Sequence, residues 1–145
     1  MKTINTLLLI MSVIVTLNVN SQTLTQKEQL RENNEVELLT HKERSEIQMW
    51  FHQEVQKMNM TAEKFNEYES NLLVYTSKMM RLNDLDKDFT LDEINNKFDA
   101  LLLELNSKMN EILNEAEYEI HEQNFKFLSN YVKLRLEVSP SSTSK

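Results

Sequence analysis

The chain contains no glycine and one proline, Pro140. Tight hairpins rely on residues that accept positive φ, and the common turns place Gly or Pro at fixed positions. A chain short of both is poorly equipped to build a sheet. The abundance of Leu, Glu, Lys, Asn, Met and Gln favours helices. The expectation is an all-α fold in which each change of direction is specified by something other than a flexible joint.

A recurring local pattern supplies that specification. It reads Phe89-Thr90-Leu91-Asp92-Glu93-Ile94 and Leu113-Asn114-Glu115-Ala116-Glu117-Tyr118, with a weaker copy at Met60-Thr61-Ala62-Glu63-Lys64-Phe65. A Thr or Asn oxygen accepts from an orphan amide in the first helical turn, and a Glu three positions on reaches back to the cap's own amide. The flanking apolar residues clasp each other and set the angle at which the chain enters the helix. Two further boxes open at Thr40 and Thr25, each with a Glu three residues later.

Between the boxes the apolar spacing alternates threes and fours, the period of a helix face. One seam runs through Phe65, Tyr68, Leu72, Tyr75, Met79 and Leu82. Ile94, Phe98, Leu101, Leu105, Met109 and Ile112 form a second. The last helix carries Tyr118, His121, Phe125, Leu128 and Val132, with a parallel strip at Ile120, Phe127, Tyr131 and Leu134 that predicts packing against two neighbours. Ile47, Phe51, Val55 and Met58 make an upstream seam. The spacing predicts four helices over 41–58, 62–82, 91–113 and 115–136. The stretch 83–89 forms the tip between two long helices. The first helix starts either at Thr40 or as early as Thr25, so 22–40 is an uncertain segment, and 137–145 reads as a disordered tail. Thr61 and Asn114 have similar surroundings, which points to two related helical halves.

The first 21 residues read as a signal peptide. Lys2 precedes an apolar run from Leu7 to Leu17, and Val19-Asn20-Ser21 resembles a signal peptidase site, placing cleavage near Ser21. That run is about half the ~20 residues needed to span a bilayer, so no membrane anchor is expected after cleavage; an uncleaved signal anchor is the alternative. The chain has no cysteine. An exported protein free of disulfides fits a bacterial periplasm better than an animal extracellular space. With 16 basic against 23 acidic side chains and a net charge of −7, it is a poor partner for nucleic acid or anionic lipid.

The missing glycine also limits chemistry. A phosphate-cradling loop, a dinucleotide fingerprint and a nucleophile elbow all need it, and thiol catalysis needs cysteine. His41, His52 and His121 belong to no catalytic motif, so the chain reads as a non-enzyme with no catalytic residue, no cofactor and no metal site. His41 and His52 are separated by ~16 Å of helical rise, too far to share an ion. Glu117 and His121, spaced i, i+4, read as half a metal site or, more simply, as a seam-edge histidine with a surface carboxylate. The acidic stretch Asp84-Leu85-Asp86-Lys87-Asp88 opens like a calcium loop but has Phe89 and Asn95 where such a loop needs glycine and glutamate. It reads as a solvated tip. Trp50 and Met80 lie off the seams and are the candidate client-binding residues of an exposed apolar patch.

The caps at Met60-Thr61-Ala62-Glu63-Lys64 and Leu113-Asn114-Glu115-Ala116-Glu117, with the intervening Lys78-Met79 and Thr90 to Glu93, resemble the Spy/CpxP-like family, whose signature is a repeated Leu-Thr-x-x-Gln. The resemblance covers about residues 46–136. The first copy has Met for Leu and Lys for Gln; the second has Asn for Thr and Glu for Gln. Asn caps as well as Thr and Glu closes the box as Gln does, so only Lys64 forfeits the reciprocal bond. The resemblance implies a bent helical hairpin that pairs as a homodimer into a shallow antiparallel cradle. It also implies one of two roles: an ATP-independent periplasmic chaperone for unfolded clients in envelope stress, or a stress- or metal-responsive regulator that binds a membrane sensor. A structural coiled-coil spacer is a third, duller possibility.

Overall fold

The computed structural model describes residues 25–138, which carry five helices and no strand. The expected signal peptide and residues 139–145 of the expected tail lie outside the described residues. The chain divides into two units, residues 1–34 and 35–145.

In the first unit, α1 (Gln26–Asn33) opens on the Thr25 box: the Thr25 hydroxyl accepts from the Glu28 amide while the Glu28 carboxylate accepts from the Thr25 amide at 2.8 Å. No residue of α1 is buried. Isolated helices in water need ~12–15 residues to persist, so this short one depends on its cap. Residues 34–40 are not helical. The boxes at Thr25 and Thr40 therefore open two separate helices and are not rival starts of one.

The second unit contains α2 (His41–Gln56), α3 (Ala62–Met80), α4 (Leu91–Ile112) and α5 (Glu115–Val138). Each start falls where a cap predicts it, and each end lies within two residues of the expected one. α5 runs through Val138, so residues 137 and 138, expected in the tail, are helical. The boxes at Thr40 and Thr90 are complete in both directions. Thr61 accepts from the Lys64 amide but has no reciprocal partner there, as expected.

α3 packs most extensively on α4. α4 and α5 run antiparallel, because Asn106 meets His121 near their junction while Asp99 meets Lys133 further along. α2 also runs antiparallel to α5: Phe51 packs edge-on against Phe125, Trp50 against Phe127, and Tyr131 donates to Glu43. The first two turns of α3 lie alongside the first two of α5 in the same direction.

The core forms where these helices converge. Tyr68, Leu105 and Met109 are fully buried, with Val55, Leu72 and Phe98 packed around them. Each such side chain contributes on the order of 1.5–3 kcal/mol by leaving water. The seams on α3 and α4 are buried or half-buried throughout.

The second strip of α5 departs from expectation. Ile120 and Tyr131 are partly covered, but Phe127 is 51% and Leu134 62% exposed. α5 does touch two neighbours, α4 and α2; its buried arc instead includes Asn124, Ser129 and Leu136.

Between α2 and α3 the chain turns at Asn59, whose φ of 50° is the one left-handed residue among those described. In a glycine-free chain, asparagine is the residue that tolerates this region best. Its side chain donates to the Lys57 carbonyl at 3.1 Å, and the turn brings Thr61 into capping position. Asn59→Ala is expected to cost about 1 kcal/mol and Asn59→Gly to be neutral or stabilising, as read from chemical denaturation midpoints. Equal midpoints for the two variants would contradict a conformational role for this residue.

Candidate functional site

The residue that breaks the box at Thr61 is put to another use. Lys64 extends its ammonium across to the Glu117 carboxylate at 2.8 Å, 53 residues away. Glu117 is at the same time the closing residue of the second cap. Its carboxylate accepts from the Asn114 amide at 2.8 Å, and the Asn114 side chain accepts from the Glu117 amide at 3.0 Å. One carboxylate thus closes the cap of α5 and ties down the start of α3. Glu117 is only 6% exposed, so this is a shielded, charge-assisted junction and not a surface ion pair.

One turn further in, the same 53-residue offset pairs Tyr68 with His121 at 3.1 Å. The other ring nitrogen of His121, Nε2, lies 3.2 Å from the side-chain oxygen Oδ1 of Asn106. That oxygen only accepts, so Nε2 carries the hydrogen and Nδ1 accepts from the Tyr68 hydroxyl. His121 is fully buried, and burial pushes its pKa down to about 4. Burial likewise drives the Tyr68 phenol well above its usual range. Both groups are neutral at physiological pH, so the arrangement is a neutral relay joining α3, α5 and α4.

This corrects the reading of Glu117 and His121 as a metal half-site or as a surface carboxylate beside an edge histidine. The two do not bond each other, and both are buried with partners on α3. No group of three or more His, Cys, Asp or Glu able to hold a metal ion occurs among the described residues.

The acidic tip differs in part from expectation too. Asp86 is exposed, but Asp84 is buried, because the Arg81 guanidinium reaches it at 2.6 Å and also holds Glu35 at 3.1 Å. Desolvation nonetheless raises the Asp84 carboxyl above its usual range, against the pull of Arg81.

The apolar residues flanking the caps are placed as follows. Phe65, Met60 and Tyr118 pack against the core, Leu113 is part of it, and Phe89 is half-buried under the Lys97 ammonium. Thr90 and Glu93 sit at the exposed start of α4, where the Thr90 bonds hold the Glu93 carboxyl below its usual range.

The two candidate client-binding residues lie on different helices. Met80 is exposed at the end of α3. Trp50 is half-buried: its ring packs on Phe127 with centroids 4.6 Å apart, and it lines a shallow hollow between α2 and α5. The exposed apolar surface extends well beyond these two residues. Leu73 and Met80 share one outward face of α3, and Phe127, Leu134 and Val138 line one outward face of α5 at helical spacing. Sequence reasoning placed Phe127 and Leu134 against a neighbour, because periodicity identifies an apolar face without saying what covers it.

The Lys64 junction was also missed, although its signal is present: the fifth position of the two caps carries opposite charges, Lys64 in one and Glu117 in the other.

Comparison of the chain with protein-family models, curated proteins and solved structures gives no match. No helix among the described residues is long and apolar enough to cross a membrane.

Proposed function

We propose that this is an exported, ATP-independent chaperone-like protein that shields unfolded or aggregation-prone chains, acting as the homodimer that the Spy/CpxP-like resemblance implies. The observation that carries the reading is the outward apolar face of α5, where Phe127, Leu134 and Val138 are 51%, 62% and 70% exposed on one side of a long, firmly capped helix. Apolar residues scattered singly are ordinary, but a periodic row of them marks a surface that meets a partner. The exposed Met80 and Leu73 on α3 add adaptable apolar area of the kind that suits varied clients. An acidic surplus keeps such a protein soluble while the face is loaded.

The test is suppression of light scattering by unrelated aggregating clients. The exported chain is expected to act near stoichiometric ratio without nucleotide, and Phe127→Ser with Leu134→Ser to weaken suppression severalfold at unchanged helicity by circular dichroism. Failure to suppress any client would remove the chaperone reading and favour a regulator that docks a single membrane sensor through the same face. Full suppression by the double variant would move client binding elsewhere on the molecule.

A further inference from the structure

The hollow between α2 and α5 combines aromatic faces with carboxylates. It is lined by Glu43, Glu46, Ile47, Trp50, Phe127 and Tyr131 and is an open depression of about 220 Å³. That is below the roughly 300–1,000 Å³ of drug-sized ligand sites and suits a single side chain. Phe127 links the aromatic wall, tilted against Trp50 on one side and stacked on Tyr131 at 6.5 Å on the other.

The chain already shows what this wall attracts. The Arg135 guanidinium lies over the Tyr131 ring at 5.7 Å and pairs with the Glu43 carboxylate, which also accepts from the Tyr131 hydroxyl. One station made of a carboxylate and an aromatic face is therefore filled by the protein's own arginine. A second station, Glu46 with Trp50 and Phe127, has no such occupant. Glu46 is paired only loosely, with Lys42 at 3.8 Å, and both side chains are largely exposed. An exposed pair of that kind is readily exchanged.

We propose that this second station takes an arginine side chain of an unfolded polypeptide, with its guanidinium stacked on Trp50 and Phe127 and paired to Glu46, while an adjacent apolar residue of the same segment lies along the exposed α5 face. The protein then selects basic segments that carry aromatic or aliphatic neighbours. The inference rests on the chaperone reading and names the class of client it prefers. A planar guanidinium fits better than an ammonium, because it stacks on rings and bonds a carboxylate at once. The net charge of −7 draws basic segments toward the surface from a distance and does so less at high salt.

Trp50 is the only tryptophan, so its emission reports on the station directly. The experiment titrates the exported chain with a tryptophan-free unfolded peptide containing Arg-Leu-Phe and with its counterpart in which Gln replaces Arg. The arginine peptide is expected to half-saturate the Trp50 change at about fivefold lower concentration, a preference that falls below about twofold in Glu46→Gln and at about 0.5 M salt. Equal response to the two peptides, no response to either, or an undiminished preference in Glu46→Gln would each overturn the proposal. A change in Trp50 emission on diluting the protein alone would seat a second copy in the hollow and overturn it as well. If the arginine preference holds while aggregation suppression is absent, the chaperone reading fails and the station stands. If suppression is intact and the preference is missing, the reverse follows.

Discussion

Replacing Glu117 with alanine is expected to lower stability by about 3 kcal/mol. The side chain is 6% exposed and serves two acceptor roles, toward the Asn114 amide and toward the Lys64 ammonium. Its removal leaves a cap amide without its acceptor and a cation without its counter-charge. Lys64 remains 30% exposed and has a flexible stem, so it relaxes partly toward water, which keeps the cost at the lower end of the range for broken buried pairs. Lys64→Gln separates the two contributions. It restores a residue able to close the Thr61 box while deleting the cross-helix charge, so its loss should be smaller, about 1 kcal/mol. The check is urea denaturation of both single variants and the double variant, comparing midpoints at unchanged slope. A coupling energy above about 1 kcal/mol is expected between positions 64 and 117. Strictly additive losses would mean that the contact carries no energy and that the starts of α3 and α5 are held together by apolar packing alone.

The same pair shows which features of the fold were legible in the sequence. The Thr40, Thr90 and Asn114 boxes could be read directly, because a cap and its acceptor lie three residues apart and need no tertiary information. The seams on α3 and α4 could be read for a similar reason, since periodicity is a property of the helix itself. Lys64 appeared as a defect because the local rule has no view of Glu117. A residue that breaks a local rule is where a distant partner should be sought, and this one lies at the equivalent position of the second cap. His121 was misjudged for a related reason. A histidine on an apolar seam looks like an edge residue until a hydroxyl and an amide are found waiting for both of its nitrogens. The exposed row on α5 is a different case, because an apolar stripe reads the same whether it meets another helix, another molecule or water.

Acid is expected to destabilise the protein through His121, by about 3 kcal/mol between neutral pH and pH 4. In the folded chain this imidazole titrates near 4, against 6.5 for an unperturbed histidine. Between those values the unfolded chain binds the proton that the folded chain refuses, so stability falls as pH drops through this window and is fully retained above 6.5. The geometry explains the refusal. Protonation places a hydrogen on Nδ1, which then faces the hydrogen of the Tyr68 hydroxyl in a site closed to water. Tyr68 must turn its own hydrogen away to accept, leaving a buried donor without a partner as well as a buried charge. Glu69 and Asp84, whose carboxyls are raised by desolvation, work in the opposite sense, because their folded forms take up protons more readily than the unfolded chain. The diagnostic quantity is therefore the difference between the wild-type stability profile and that of His121→Gln, whose amide accepts from Tyr68 and donates to Asn106 without titrating. That difference should vary with pH between 6.5 and 4 and stay flat above it. Parallel profiles would show that the histidine is not held neutral by its surroundings. Because His121 joins α3, α4 and α5 immediately beside the Lys64 junction, the acid-induced loss should appear first as faster amide exchange in the opening turns of α3 and α5, ahead of the exposed caps at Thr40 and Thr90, whose bonds are local and independent of this histidine.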